Sequence, residues 1–113
     1  MAEKDRVRPV TGVTYDAVVH ELTADPAVVE TKMMGMPSLK LGGKLFAGSS
    51  DESLVVKIGR GRVDELLAAD AVSPFDPSGR GRPMKDWAVV APGDGDWIAL
   101  AEEAKRYAAS GGA

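Results

Sequence analysis

The chain has 113 residues, with 14 Lys or Arg against 17 Asp or Glu, 44% hydrophobic residues and no cysteine. That length supplies one modest hydrophobic core and not two, and the missing thiols exclude disulfides, thiolate metal sites and cysteine nucleophiles together. A single histidine removes most imidazole-based metal and triad chemistry as well, so composition argues against an enzyme. No apolar run approaches the roughly 20 residues that a membrane-spanning helix needs. The opening MAEKDRVRPVTG lacks the apolar centre of a secretory signal. A cytoplasmic protein without membrane contact is the expectation.

Residues 1–13 are charged, carry Pro9 and Gly12, and show no hydrophobic period, which predicts an N-terminal arm before a single domain over 14–113. Thr14 has the character of an N-cap, Asp16 suits the first turn, and Tyr15, Val18, Val19 and Leu22 follow at helical spacing. That helix should end before Asp25-Pro26. Residues 27–34 read as a possible further helical turn, and Met33-Met34-Gly35-Met36-Pro37 reads as a break in regular structure.

From Ser38 the pattern becomes that of short strands. Leu39 and Leu41 alternate with Lys40, Gly42-Gly43 is a hairpin signal, residues 45–48 make the return, and residues 53–58 form a third strand. Residues 62–70 return to a helical period, with Val63, Leu66 and Leu67 inward and Asp64, Glu65 and Asp70 toward water. A loop rich in proline and glycine follows over 73–83. Residues 86–91 then alternate as a strand, with Trp87 and Val89 on one face and Ala88 and Val90 on the other. Asp94 or Asp96 can cap a last helix whose apolar stripe is Trp97, Leu100, Ala101, Ala104 and Ala108, with Glu102 spaced to meet Arg106. The fold class is therefore α+β, in the order α-β(3)-α-β(2)-α, with one antiparallel sheet packed against helices.

Two stretches, MGMPSLKLGGKLFAG at 34–48 and PFDPSGRGRPMKDWAVV at 74–90, resemble the N-terminal domain family of TfoX-type (TfoX/Sxy-like) competence regulators, with RVDELLAAD at 62–70 between them in the family's order. The resemblance implies a secretion-chaperone-like fold with this same order of elements, and YjbR-like proteins share its general architecture. It implies no catalytic residue and no cofactor. Full-length regulators of this type add a C-terminal domain that does not appear here, so activity residing in that domain does not carry over. The implied role is a small, bacterial, non-enzymatic regulatory or interaction domain.

Charge is unevenly spread. Residues 32–62 hold six basic and two acidic groups, and residues 80–85 hold three basic groups alone, within a chain of net charge −3. Both basic segments contain Gly-Arg-Gly-Arg, at 59–62 and 79–82. Alternating glycines can turn successive N–H groups toward one point while arginines supply forked donors, a pattern suited to phosphate or carboxylate. Lys57, Arg60, Arg62, Arg80, Arg82 and Lys85 are the candidate contacts for such a ligand or for nucleic acid. The competing reading is structural: glycines that serve turns, and arginines that pair with nearby carboxylates such as Asp64, Asp70, Asp76 and Asp86. Nucleic acid is the less favoured partner, because a stacking platform would interleave aromatic residues with the basic ones and only Phe75 is near them.

His20 is expected to face solvent beside Asp16, and Asp51-Glu52 and Asp94/Asp96 read as turn and cap residues. Met33, Met34 and Met36 either fill the gap between the first helix and the sheet or form an adaptable contact surface. Both tryptophans belong in or near the core. A short meander also leaves edge strands that need cover or a partner, which points to a homodimer.

Overall fold

A computed structural model describes residues 14–33, 35–50, 52–77, 79–81, 83–92 and 96–111. The N-terminal arm predicted for 1–13 lies outside the described residues. The elements are α1 (Tyr15–Leu22), β1 (Val28–Met33), β2 (Met36–Leu41), β3 (Lys44–Ser50), β4 (Ser53–Lys57), α2 (Arg60–Ala68), β5 (Ser73–Pro74), β6 (Trp87–Val90) and α3 (Trp97–Ala109). One six-stranded antiparallel sheet, in the order β1-β2-β3-β4-β6-β5, carries the helices. The α+β class stands.

One element differs from the sequence reading. Residues 28–33 are a strand and not a helical turn, so four strands precede α2. Its β-branched Val28, Val29 and Thr31 suit a pleated surface. Gly35, at φ 81°, lets the chain reverse between Met33 and Met36, which face each other across the hairpin. Pro37 does not break the pairing either. It stands opposite Lys32, and without an N–H it can occupy only a non-hydrogen-bonded position of that ladder.

Local chemistry sets the other boundaries as expected. The Thr14 hydroxyl accepts the Ala17 N–H at 3.3 Å, and the Asp96 carboxylate accepts that of Ala99 at 3.0 Å, capping α1 and α3. Gly42 and Gly43 both have positive φ, the signature of a two-residue type I′ hairpin between β2 and β3. Between α1 and β1, the Asp25 carboxylate accepts the Ala27 N–H at 2.9 Å and pairs with Lys105 of α3 at 3.0 Å. Lys105 also pairs with Glu102, at 4.0 Å, where the spacing pointed to Arg106.

The main core lies between the sheet and the helices. α3 crosses β2, β3 and β4, α1 packs on α3, and α2 meets β6. Ala101, Ala104 and Ala108 line the inner side of α3, so that helix approaches the sheet closely without losing helix propensity. Leu39 faces Ala47 but Lys40 faces Leu45, leaving Phe46 as an extra residue on β3. This bulge sends both Phe46 and Ala47 into the helix-side core, where each is fully buried. Burying a phenylalanine there contributes roughly 1.5–3 kcal/mol.

Candidate interaction surface

The sheet's second face is built from one row that crosses every strand. Thr31, Ser38, Gly48, Val55, Val89 and Ser73 face one another in succession from β1 to β5. The middle of the row is small. Ser38 is buried with its hydroxyl donating to the Met36 carbonyl at 2.9 Å, and Gly48 leaves a hollow that the Met36 side chain fills. Phe75 and Trp87 close one end, their ring centroids 5.8 Å apart and tilted by 45°. The Met84 N–H donates to the Phe75 carbonyl at 2.8 Å, which fastens the returning loop over that end.

A second apolar cluster results: Val55, Phe75 and Trp87 are buried, with Met33, Met36, Leu45 and Val89 partly exposed around them. Both tryptophans are therefore buried, but in different places. Trp97 belongs to the core between sheet and helices at 4% exposure, whereas Trp87, at 5%, belongs to the opposite face. Met33 and Met36 accordingly do not plug the space under α1. They sit on the face away from the helices, and Met34 lies outside the described residues. Toward the β1 edge this face opens further, and Val29 is 48% exposed. Val29, Thr31 and Leu45 were not among the sequence's candidates, although the alternation Val29-Thr31-Met33 carries the signal.

The basic residues are distributed differently. Arg62 turns to α3, donating to Glu103 at 2.8 Å and to Glu65 at 3.1 Å. Hydrogen bonds to Glu103 first and Glu65 second, with Glu103's charge, push its guanidinium further above its ordinary range. Arg60 is an exposed residue in the first turn of α2, behind Gly59, whose φ of 93° strains any side chain and whose Cβ would stand only 3.0 Å from the Tyr107 ring. Lys57 faces Trp87 across β4 and β6, on the open face.

In the second segment, Gly79 and Gly81 have φ of 68° and 74°, as an anion-cradling loop requires. The anion they hold belongs to the chain itself. One carboxylate oxygen of Asp76 accepts the Gly79 N–H at 3.0 Å, and the other accepts that of Gly81 at 2.8 Å. Arg80 is exposed on this loop, and Arg82 lies outside the described residues. Lys85 lines a crevice of about 90 Å³ with Val63, Asp64, Leu67, Pro83 and Trp87 among its walls. That is well below the roughly 300–1,000 Å³ of small-molecule sites, and neither Arg60 nor Arg62 contributes to it.

His20 is exposed at the end of α1. Among the described residues there is no group of three or more His, Asp or Glu that could hold a metal ion, and no helix is long and apolar enough to cross a membrane. Of the carboxylates read as turn and cap residues, Glu52 occupies a turn at φ 68° and Asp96 caps α3, while Asp51 and Asp94 lie outside the described residues. Comparison with protein-family models, with curated proteins and with solved structures gives no match.

Proposed function

We propose that this chain is a small, non-enzymatic interaction domain that acts as a homodimer, in the regulatory manner that the TfoX N-terminal resemblance implies. One observation supports this above the rest. The sheet is closed by helices on one face, while the other carries a partly exposed apolar cluster that runs out to β1, which pairs only with β2 among the described residues. Apolar surface of this kind, ending at a strand edge, is what a second protein surface covers. Methionines in the cluster add adaptability to the contact.

The alternative, phosphate or nucleic-acid binding through the two Gly-Arg-Gly-Arg segments, would set an external anion in competition with Asp76 for the Gly79 and Gly81 N–H groups and with Glu103 for Arg62. Sedimentation equilibrium tests the proposal. The expected result is a mass that rises with concentration toward twice the 11.8 kDa of one chain. A mass that stays at one chain up to millimolar concentration would discard it.

A further inference from the structure

The two edges of the sheet are not equivalent. β5 is two residues long and contains Pro74, so it offers little to a further strand. β1 is six residues long and contains neither proline nor glycine. Its hydrogen-bonding phase follows from Pro37. Because the Lys32–Pro37 pair cannot be hydrogen-bonded, alternation assigns Met33, Thr31 and Val29 to the hydrogen-bonded pairs with β2. The N–H and C=O groups of Val28, Glu30 and Lys32 therefore point away from the sheet.

From this geometry we infer that β1 is the self-association edge, pairing antiparallel with β1 of a second copy about a two-fold axis at Thr31. The inference rests on the homodimer reading above and names its interface. Three features of β1 fit this register and no neighbouring one. Glu30 comes opposite the second copy's Lys32, and Lys32 opposite its Glu30, so two opposite-charge pairs form by symmetry. Both residues are exposed and lie on the same face of the strand. The same two residues direct their backbone groups outward, so the charged pairs are also the hydrogen-bonded pairs. On the open face, exposed Val29 comes opposite the second copy's Met33. Each exposed Val29 thereby gains an apolar neighbour from the second copy's cluster, to which Met33 belongs. A register shifted by two residues would set Glu30 against Glu30 or Lys32 against Lys32, with like charges in direct opposition.

Thr31 would meet its own copy as a non-hydrogen-bonded pair, in which Cα atoms approach to about 4.5 Å, within reach of a disulfide. The chain has no cysteine, so a single substitution gives an unambiguous probe. Thr31→Cys treated with oxidised glutathione should link covalently into a dimer at least tenfold faster than Lys32→Cys, which lies across from Glu30. A charge-swap series reads the same register without a cross-link. Glu30→Lys and Lys32→Glu should each weaken the dimer about tenfold, since each creates two like-charge pairs, and the double variant should restore it to within about threefold of the parent.

A parent chain that dimerises, with Thr31→Cys linking no faster than Lys32→Cys and no restoration in the double variant, would overturn this interface and leave self-association standing. A parent chain that is monomeric throughout would remove both. If Thr31→Cys fails to fold, the charge-swap series decides alone.

Discussion

The carboxylate of Asp76 holds the N–H of Gly81 at 2.8 Å, while its other oxygen holds Gly79 at 3.0 Å. The second Gly-Arg-Gly-Arg segment thus has the form of an anion-binding loop whose anion is supplied three to five residues upstream. Asp76→Ala removes a charged acceptor from two backbone donors and should cost about 1–2 kcal/mol, read as a lower urea midpoint at unchanged slope. Phosphate added to the parent at low salt should leave its melting temperature unchanged, because the donors are occupied. A phosphate-induced rise in the parent would show that the loop exchanges Asp76 for an external ligand.

Gly48 and Gly61 should respond in opposite directions to alanine. A Cβ on Gly48 would meet the Met36 methyl at 2.7 Å and the Pro37 carbonyl oxygen at 2.9 Å. The methyl can move, but the backbone oxygen moves only with β2, so Gly48→Ala should cost about 1–3 kcal/mol. Gly61 lies inside α2, exposed, with nothing near the added carbon. Gly61→Ala should therefore stabilise by roughly 0.5–1 kcal/mol through helix propensity. Chemical denaturation of the two variants checks both signs.

The buried hydroxyl of Tyr15 has no hydrogen-bond partner among the described residues. Burial first, and the charge of Glu30 second, push its pKa up from 10.0 to about 12. The unfolded chain releases this proton before the folded chain does, so its contribution is complete below pH 10 and disappears as pH rises from 10 to 12. Tyr15→Phe should show a shallower loss of stability across that window. At pH 7 it should be equally or more stable than the parent, since it removes an unsatisfied buried group.

Asp25 acts at the acid end. The Ala27 N–H first, and then Lys105, hold its carboxyl below the ordinary carboxylate range. Stability from this group is present above the unfolded pKa and is lost as pH falls through the lower folded value. Asp25→Asn should therefore flatten the acid limb of the melting-temperature profile below pH 4. An unchanged acid limb would show that the turn from α1 to β1 does not depend on this charge.

The helices and the strand at Trp87 were legible in the sequence because each carries its own hydrophobic period, and α1 and α3 add a capping side chain: Thr14 before Val18 and Leu22, Asp96 before Trp97 and Ala101. β1 was not. Met-Met-Gly-Met-Pro has the composition of a break, and only the pairing of Lys32 with Pro37 makes that proline compatible with a strand. The alternation at Trp87 and Val89 was readable, but not which of the sheet's faces the helices cover. The side on which Met33 and Met36 pack was hidden for that reason. Arg62 and Glu103 are 41 residues apart in sequence and meet only because α2 and α3 do, so no local pattern announces that pair. Asp76, by contrast, is close enough to Gly79 and Gly81 that an Asx-type turn chemistry was within reach of the sequence.

Amide hydrogen exchange along β1, followed against protein concentration, tests the central claim most directly. The amides of Thr31 and Met33 pair with β2 and should be protected at every concentration. Those of Glu30 and Lys32 point away from β2, so pairing with β1 of a second copy should protect them at high concentration and leave them unprotected on dilution into the monomer range. Rapid exchange of Glu30 and Lys32 at all concentrations, beside protected Thr31 and Met33, would contradict it.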